Sequence, residues 1–458
     1  MKKRLGIGFL VIVSATMLVA CGNKGDKKTE VATEATTEAS TEKKTEEATE
    51  TPTEKTTEAI TSKTSTEKQT ESDPIVSYRE GLEEDYIAMI EKSLISTGNN
   101  ARLKKAIEKA QNGEEVLIAA IGGSITEGAL ATPNTNCYAY QSYEAFKKAF
   151  GKGDGENVTF INAGMSGTPS TLGMIRYKRD VLDEAEVMPD LVFVEFAVND
   201  GDDPTNGDAY ESLVRNILTA ENNPAVVLIF SVFQSKWNLQ DRLIPIGEYY
   251  DLPMVSIKNA LIPEIEAGNV TNDQFFGDTL HPNNWGHKMM VHCVTNLFEA
   301  IYAEETKEDV EIPAKAKIGN SFEGIKMIDA NSDMEIEVGS FLETDKSIGT
   351  LQYNNEKKTF PDNWQHKAGS ESFKLTLNAK NLCMVYKKSN SASYGKAEVY
   401  VDGELVKTIN GKDNGGWNNP FTVVLFSQDE ASEHTIEIKM AEGDEEKMFT
   451  IMALGYTE

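Results

Sequence analysis

The chain has 458 residues, with 45 Lys and Arg against 73 Asp and Glu, a formal net charge of −28. Nearly all of the negative charge falls after residue 73, and so acidic a surface repels nucleic acid, anionic lipid and polyanionic glycans alike, which leaves a neutral substrate as the better fit. Of four cysteines, Cys21 stands apart and Cys137, Cys293 and Cys383 are an odd number spread over the rest, unlike a disulfide framework.

In chain order, Lys2, Lys3 and Arg4 precede an apolar stretch over residues 5–19 that is too short for a comfortable membrane span. It closes on Leu18-Val19-Ala20-Cys21, which resembles the lipobox of bacterial lipoproteins. The resemblance implies that 1–20 is a signal peptide and that Cys21 is lipidated. The mature chain would then be anchored to the extracytoplasmic face of the cell membrane through acyl chains alone. The alternative is an ordinary secretory signal in which Cys21 has no role. Residues 21–74 form a Thr/Glu-rich linker with almost no large apolar side chain, so disorder is expected. A flexible chain of that length reaches roughly 40 Å, enough to hold a globular head away from a membrane.

Residues 84–112 read as two helices. Short Val/Ile/Phe-rich runs follow at 116–121, 158–162, 191–196, 226–231 and 254–257, each bounded by Gly, Pro or Asn. Helical stretches at 142–150, 172–186 and 210–221 lie between them. Strand–helix alternation predicts a doubly wound α/β sheet over residues 75–312, with its ligands beyond the carboxyl ends of the strands. Over 313–458 the pattern changes to short strand-like runs at 334–341, 373–377, 383–386, 397–401, 422–426, 435–440 and 449–454, without helices. This predicts an all-β sandwich. The Val401-Asp402-Gly403-Glu404 turn and the run His434-Thr435-Ile436-Glu437-Ile438 resemble the galactose-binding-like jelly rolls found beside glycan-active enzymes.

The first strand ends in Gly122-Gly123-Ser124-Ile125-Thr126-Glu127. Alone, Ser124-x-x-Glu127 reads as a capping box. Gly277-Asp278-Thr279-Leu280-His281 changes that reading, because it places a carboxylate three residues before an imidazole in a polar loop after the last strand. A serine hydroxyl needs a base to take its proton, and the base needs a partner to hold its tautomer. The turns Gly164-Met165-Ser166-Gly167 and Ala197-Val198-Asn199-Asp200 follow the second and third strands and offer donors for an oxyanion.

In this order the motifs resemble those of the SGNH (GDSL-like) hydrolase family, in particular its carbohydrate-esterase-like members, over about residues 85–305. The resemblance implies a flavodoxin-like three-layer domain with a catalytic triad of Ser124, Asp278 and His281. It implies an oxyanion hole from the N–H groups of Ser124 and Gly167 and the side-chain amide of Asn199, with Gly164 as the competing donor. It implies no metal and no organic cofactor. Gly123 and Ala197 replace the usual Asp and Gly of the family motifs without removing a reacting group. His287, His292 and Cys293 sit in a helical apolar pattern and read as core or surface rather than as zinc ligands. Asp200-Gly201-Asp202-Asp203 reads as a solvated loop rather than a calcium site.

The function expected from these readings is a serine esterase that removes O-acyl groups, O-acetyl above all, from a neutral polysaccharide outside the cell. Trp237, Trp285, Trp364 and Trp417 are candidate sugar-stacking faces, with core packing as the alternative for each. A lipid or short-chain acyl-ester hydrolase would need an apolar lid or channel. A non-catalytic glycan-binding lipoprotein would show a missing triad member.

Overall fold

Apolar runs too short to be helices and too continuous to have a wet face must be buried on both sides, and they assemble here into one sheet. The computed structural model describes residues 79–351 and 354–458. The signal segment, Cys21 and the linker lie outside the described residues. A short strand β1 (Leu94–Ser96) precedes β2 (Val116–Gly122), β3 (Val158–Gly164), β4 (Leu191–Glu195), β5 (Ala225–Phe230) and β6 (Met254–Ser256). The sheet order is β1-β6-β5-β4-β2-β3; β2 to β6 are parallel, and β1 joins the β6 edge antiparallel. The parallel strands therefore take the flavodoxin-like order, with the switch point between β2 and β4.

The helices, in chain order, are α1 (Glu84–Glu91), α2 (Ala101–Asn112), α3 (Ser124–Glu127), α4 (Tyr138–Phe150), α5 (Ser170–Asp180), α6 (Asp208–Leu218), α7 (Gln240–Tyr249), α8 (Ile257–Ala267), α9 (Asn272–Phe275) and α10 (Asn284–Ala303). One face of the sheet, through Ile118, Ala120, Phe193 and Val227, packs on α1, α2, α4, α8 and α10. The other, through Ala119, Ile121, Val192 and Val194, packs on α5, α6 and α7. The helix expected to run to residue 186 stops at Asp180, because Asp183, Glu184 and Ala185 all take positive φ. Among the described residues no helix is long and apolar enough to cross a membrane.

The second domain is an all-β antiparallel sandwich. Its strands are β7 (Lys326–Ile328), β8 (Thr350–Leu351), β9 (Asn354–Lys358), β10 (Trp364–His366), β11 (Phe373–Ser389), β12 (Lys396–Val401), β13 (Glu404–Asn410), β14 (Trp417–Met440) and β15 (Phe449–Thr457). The main sheet runs β10-β15-β11-β14-β12-β13, with β7 on β15. Runs that read as separate strands at 373–377 and 383–386 are one strand, interrupted by register shifts at Ala379/Asn381 and Leu382/Cys383. The run at 334–341 is not a strand: Met334, Ile336 and Val338 pack on the sandwich core, and pairing stops at one bridge between Glu337 and Lys374.

β11 shows how the two domains are joined. Phe373, Leu375 and Leu377 point inward and alternate with exposed Lys374 and Thr376, as a half-buried strand should. From Leu382 to Tyr386 every residue is buried. Leu382, Met384 and Tyr386 face the sandwich core, whereas Cys383 and Val385 join the apolar cluster of α5, α6 and the parallel sheet. Met452 and Ala453 of β15 do the same. The described part of the chain is accordingly one compact unit with a shared core.

Inside the sandwich, the fully buried Lys387 ammonium lies 2.8 Å from Asp345 Oδ2, which also accepts from Tyr394 Oη and Thr450 Oγ1. Burial pushes the Asp345 carboxyl up, but hydrogen bonds from Lys387, Ser347 and Thr450 outweigh it and bring its pKa down to about 2. A carboxylate with a lowered folded pKa contributes stability that is complete above about pH 4 and is lost as pH falls towards 2. Lys387→Met should cost about 3–5 kcal/mol at pH 7 by leaving Asp345 unpaired. The cost should shrink as pH falls towards 2, which urea midpoints of the two proteins at pH 7 and pH 3 would check.

Candidate active site

Each strand of a parallel sheet ends at the same edge, so residues that follow β2, β3 and β4 gather there regardless of their separation in sequence. Ser124 opens α3 directly after β2, where the first amides of a helix have no intrahelical acceptor. Gly123 makes the bend possible, since a Cβ on it would lie 2.4 Å from Asn199 Oδ1. Asn199 thus packs against the Ser124 turn from the neighbouring strand. The capping-box reading of Ser124-x-x-Glu127 does not hold. Gly123 is the cap position without a side-chain bond, and the Glu127 carboxyl turns away to accept from Ser166 N at 2.7 Å and from Ser166 Oγ.

The imidazole arrives from the far end of the domain. Residues 276–282 form a tight loop in which Phe276 bridges Pro282 and Gly277 N–H donates to His281 O. Asn283 then caps α10, its side chain accepting from Gly286 N. In this loop His281 Nε2 lies 2.9 Å from Ser124 Oγ, and His281 Nδ1 lies 2.8 Å from Asp278 Oδ2. Asp278 Oδ1 accepts from the N–H groups of Leu280 and His281, both at 2.7 Å. Partial burial pushes the Asp278 carboxyl up; the His281 ring and the two backbone donors outweigh it and leave the pKa below the usual carboxylate range. An ionised Asp278 holds the ring N–H on Nδ1 and leaves Nε2 free to accept the serine proton.

The candidate oxyanion donors are placed unequally. Gly164 N–H donates to Asn162 Oδ1 at 2.9 Å, so it is already engaged. Among the described residues the Gly167 N–H has no partner. Gly167 has φ 69°, and a Cβ there would meet the Trp417 ring at 2.5 Å, so two independent constraints require glycine. Trp417 belongs to the sandwich, a contact that sequence spacing could not foresee. Of the four tryptophans, Trp417 and Trp237 stand exposed at this edge, whereas Trp364 is in the sandwich core and Trp285 packs edge-on against Tyr86 and Phe275. A cleft of about 400 Å³ runs from Gly167 and Asn199 past Trp237 to Phe421 and Val423 of the sandwich.

Asp200 is fully buried rather than solvated, and its Oδ1 accepts from Ser170 N at 2.7 Å. Burial pushes its pKa up to about 7, as it does for Glu195 at the tip of β4. His287 is buried on Tyr138 N and Ala129 O, and burial lowers its pKa to about 4; His292 pairs with Tyr86 Oη. Among the described residues no group of three or more His, Cys, Asp or Glu side chains is placed to hold a metal ion. Cys137, Cys293 and Cys383 are free and buried.

Residues 120–289, within the α/β domain, match the GDSL-like Lipase/Acylhydrolase family. No curated protein matches the sequence. The crystal structure of a two-domain esterase (CEX) active on acetylated mannans is similar at a TM-score of 0.71 and 29% identity, over 81% of this chain and 98% of that one. The same esterase co-crystallised with mannopentaose gives a TM-score of 0.70 at 29% identity, again over 81% of this chain and 98% of that one. The family match and these similarities support an ester hydrolase. Asp278→Asn, which keeps the shape but not the charge, should lower kcat for p-nitrophenyl acetate by about 10²–10⁴-fold with little change in KM. Steady-state kinetics on the folded variant measure both.

Proposed function

We propose that this protein is a serine esterase that removes O-acetyl groups from a neutral polysaccharide, with acetylated mannan as the first substrate to test. The observation that carries the reading is the Ser124–His281–Asp278 hydrogen-bond chain, with the candidate oxyanion donors Gly167 and Asn199 lining a cleft walled by both domains. His281 takes the Ser124 proton as Oγ attacks the ester carbonyl. The oxyanion is received by the N–H groups of Ser124 and Gly167 and by the Asn199 amide. The tetrahedral intermediate collapses with proton transfer from His281 to the departing sugar hydroxyl, leaving an acetyl-enzyme. Water, deprotonated by His281, then releases acetate and restores Ser124.

The polysaccharide side of the proposal rests on the cleft. Trp417 stands against Gly167 at 56% exposure, and Trp237, which lines the cleft, lies stacked against Phe233, 5.7 Å between centroids. Aromatic faces flanking a carbonyl-binding site suit a sugar ring presented edge-on. The two-domain esterase similar to this chain acts on acetylated mannans and was co-crystallised with mannopentaose, which supports the same substrate class here. Anchorage through Cys21 and a reach set by the linker are part of the proposal and place the reaction outside the cell.

Because the sandwich shares a core with the α/β domain, removing residues 316–458 would strip that core, and a point change is the cleaner test. Ser124→Ala should abolish acetate release from acetylated mannan and p-nitrophenol release from its acetate ester; unchanged turnover would rule out the mechanism. Trp417→Ala should lower kcat/KM on acetylated manno-oligosaccharide by about tenfold and affect the simple ester less. Activity that rises from two-carbon to eight-carbon p-nitrophenyl esters would favour a lipid substrate instead.

A further inference from the structure

An oxyanion hole built from two separate segments has a particular weakness. The Ser124 N–H rides on the tip of β2 and the Gly167 N–H on the loop after β3, so any slip of one segment past the other opens the gap between the donors. Hydrogen bonds to a developing oxyanion lose strength steeply over a few tenths of an ångström. Strand pairing ends at Gly122 and Gly164, before either donor is reached.

Two buried side chains that the proposed reaction does not use span this gap. From the nucleophile side, Glu127, 1% exposed at the end of α3, accepts from Ser166 N at 2.7 Å and from Ser166 Oγ. Ser166 immediately precedes Gly167, so the bond is made one peptide away from the donor. Beneath them, Arg176 of α5 is wholly buried; its Nη2 donates to Gly122 O at 3.1 Å and its Nη1 to Ala163 O at 2.6 Å. One planar guanidinium thus joins the ends of β2 and β3, and a rigid fork holds two carbonyls in register better than a flexible ammonium could. Asp180 Oδ2 lies 3.1 Å from Arg176 Nη1 and supplies the countercharge. Burial raises the Asp180 pKa, but Arg179 and Arg176 outweigh it and keep the carboxyl below its usual range. Close approach completes the arrangement, since a Cβ on Gly164 would lie 2.2 Å from Glu127 N.

We infer that Glu127 and Arg176 are positioning residues that lock the Gly167 loop to the Ser124 turn and so hold the oxyanion hole formed before substrate binds. The inference rests on the hydrolytic reading of the site. It differs from a purely structural role in one measurable respect: loss of the lock should weaken binding of the tetrahedral species and leave ground-state binding nearly unchanged.

The test uses the full chain with Glu127→Ala, Glu127→Gln, Ser166→Ala and Arg176→Lys. It reads p-nitrophenyl acetate kinetics, thermal midpoint, and the rate of inactivation by a p-nitrophenyl alkylphosphonate, whose phosphoryl oxygen must enter the oxyanion hole. Glu127→Ala should lower kcat by about 10–100-fold with KM within about twofold, and phosphonate inactivation should fall in parallel. Glu127→Gln keeps an acceptor oxygen and should recover most of the loss. Arg176→Lys should fall like Glu127→Ala. Should either fail to fold, Ser166→Ala removes one of the two loop hydrogen bonds and should show the same split at smaller amplitude. Folded variants that keep kcat within about twofold of wild type, or that raise KM alone, would overturn the lock while leaving the esterase reading in place. A wild-type protein inert to both ester and phosphonate would overturn the esterase reading itself.

Discussion

The hydrogen bond between His281 Nε2 and Ser124 Oγ closes a loop of 157 residues, and the rest of the α/β domain can be understood as what holds its two ends together. A 2.9 Å contact at that separation cannot be maintained by local structure. It needs the parallel sheet, whose common edge collects the ends of β2, β3 and β4, and it needs α10, which anchors the His281 loop by packing into the same apolar cluster as α2 and α4. The switch point between β2 and β4 supplies the space, because the chain leaves these strands towards opposite faces of the sheet.

The second constraint is that the sandwich cannot be treated as an appendage. Its strands β11 and β15 bury one face in their own core and the other against α5 and the parallel sheet. The ring of Trp417, at the start of β14, which pairs with β11, lies against Gly167 across that interface. On the proposed function, substrate recognition and the integrity of the fold draw on the same interface. Arg176 illustrates the economy: it lies on α5, the helix that meets the sandwich, while its guanidinium grips the carbonyls of Gly122 and Ala163 on the site side.

Features with a local physical cause were legible in the sequence. The five buried runs of the parallel sheet stand out because strands covered on both faces lose the polar alternation, and Gly, Pro or Asn bounds each one. The serine and the two donor turns at the ends of β2, β3 and β4, and the Asp-x-x-His pair in the loop before α10, were legible because the proposed chemistry needs those residue types. What escaped depends on tertiary context. Strand β1 is three residues long and exists only through its pairing with the β6 edge. Bulges made β11 and β14 each read as two strands. Asp200 lies in an acidic stretch whose pattern says solvent, yet its carboxyl turns inward to Ser170 N, and no charge count shows which of three aspartates does so. Glu127 carried the signature of a helix cap and serves a different loop. For the tryptophans, only packing separates Trp364, which is buried, and Trp285, which is half-buried against the core, from Trp237 and Trp417, which are exposed.

The acidity of the chain bears on the site in a way composition alone does not convey. With a net charge of −28, the summed field of the surface opposes formation of an oxyanion. Over a screening length of about 8 Å in physiological salt that field is largely attenuated, whereas donors in contact act at roughly 3 Å. Two internal carboxyls on this side of the sheet also matter: burial pushes Asp200, beside Asn199, and Glu195 up to about 7, so below neutrality both are mostly uncharged and add little repulsion. On the proposed mechanism, stabilisation of the tetrahedral intermediate comes mainly from short-range donors whose positions are set in advance. In such a protein rigidity of the loop after β3 is worth more than any rearrangement of surface charge, and the burial of an entire guanidinium beneath it has a reason beyond packing.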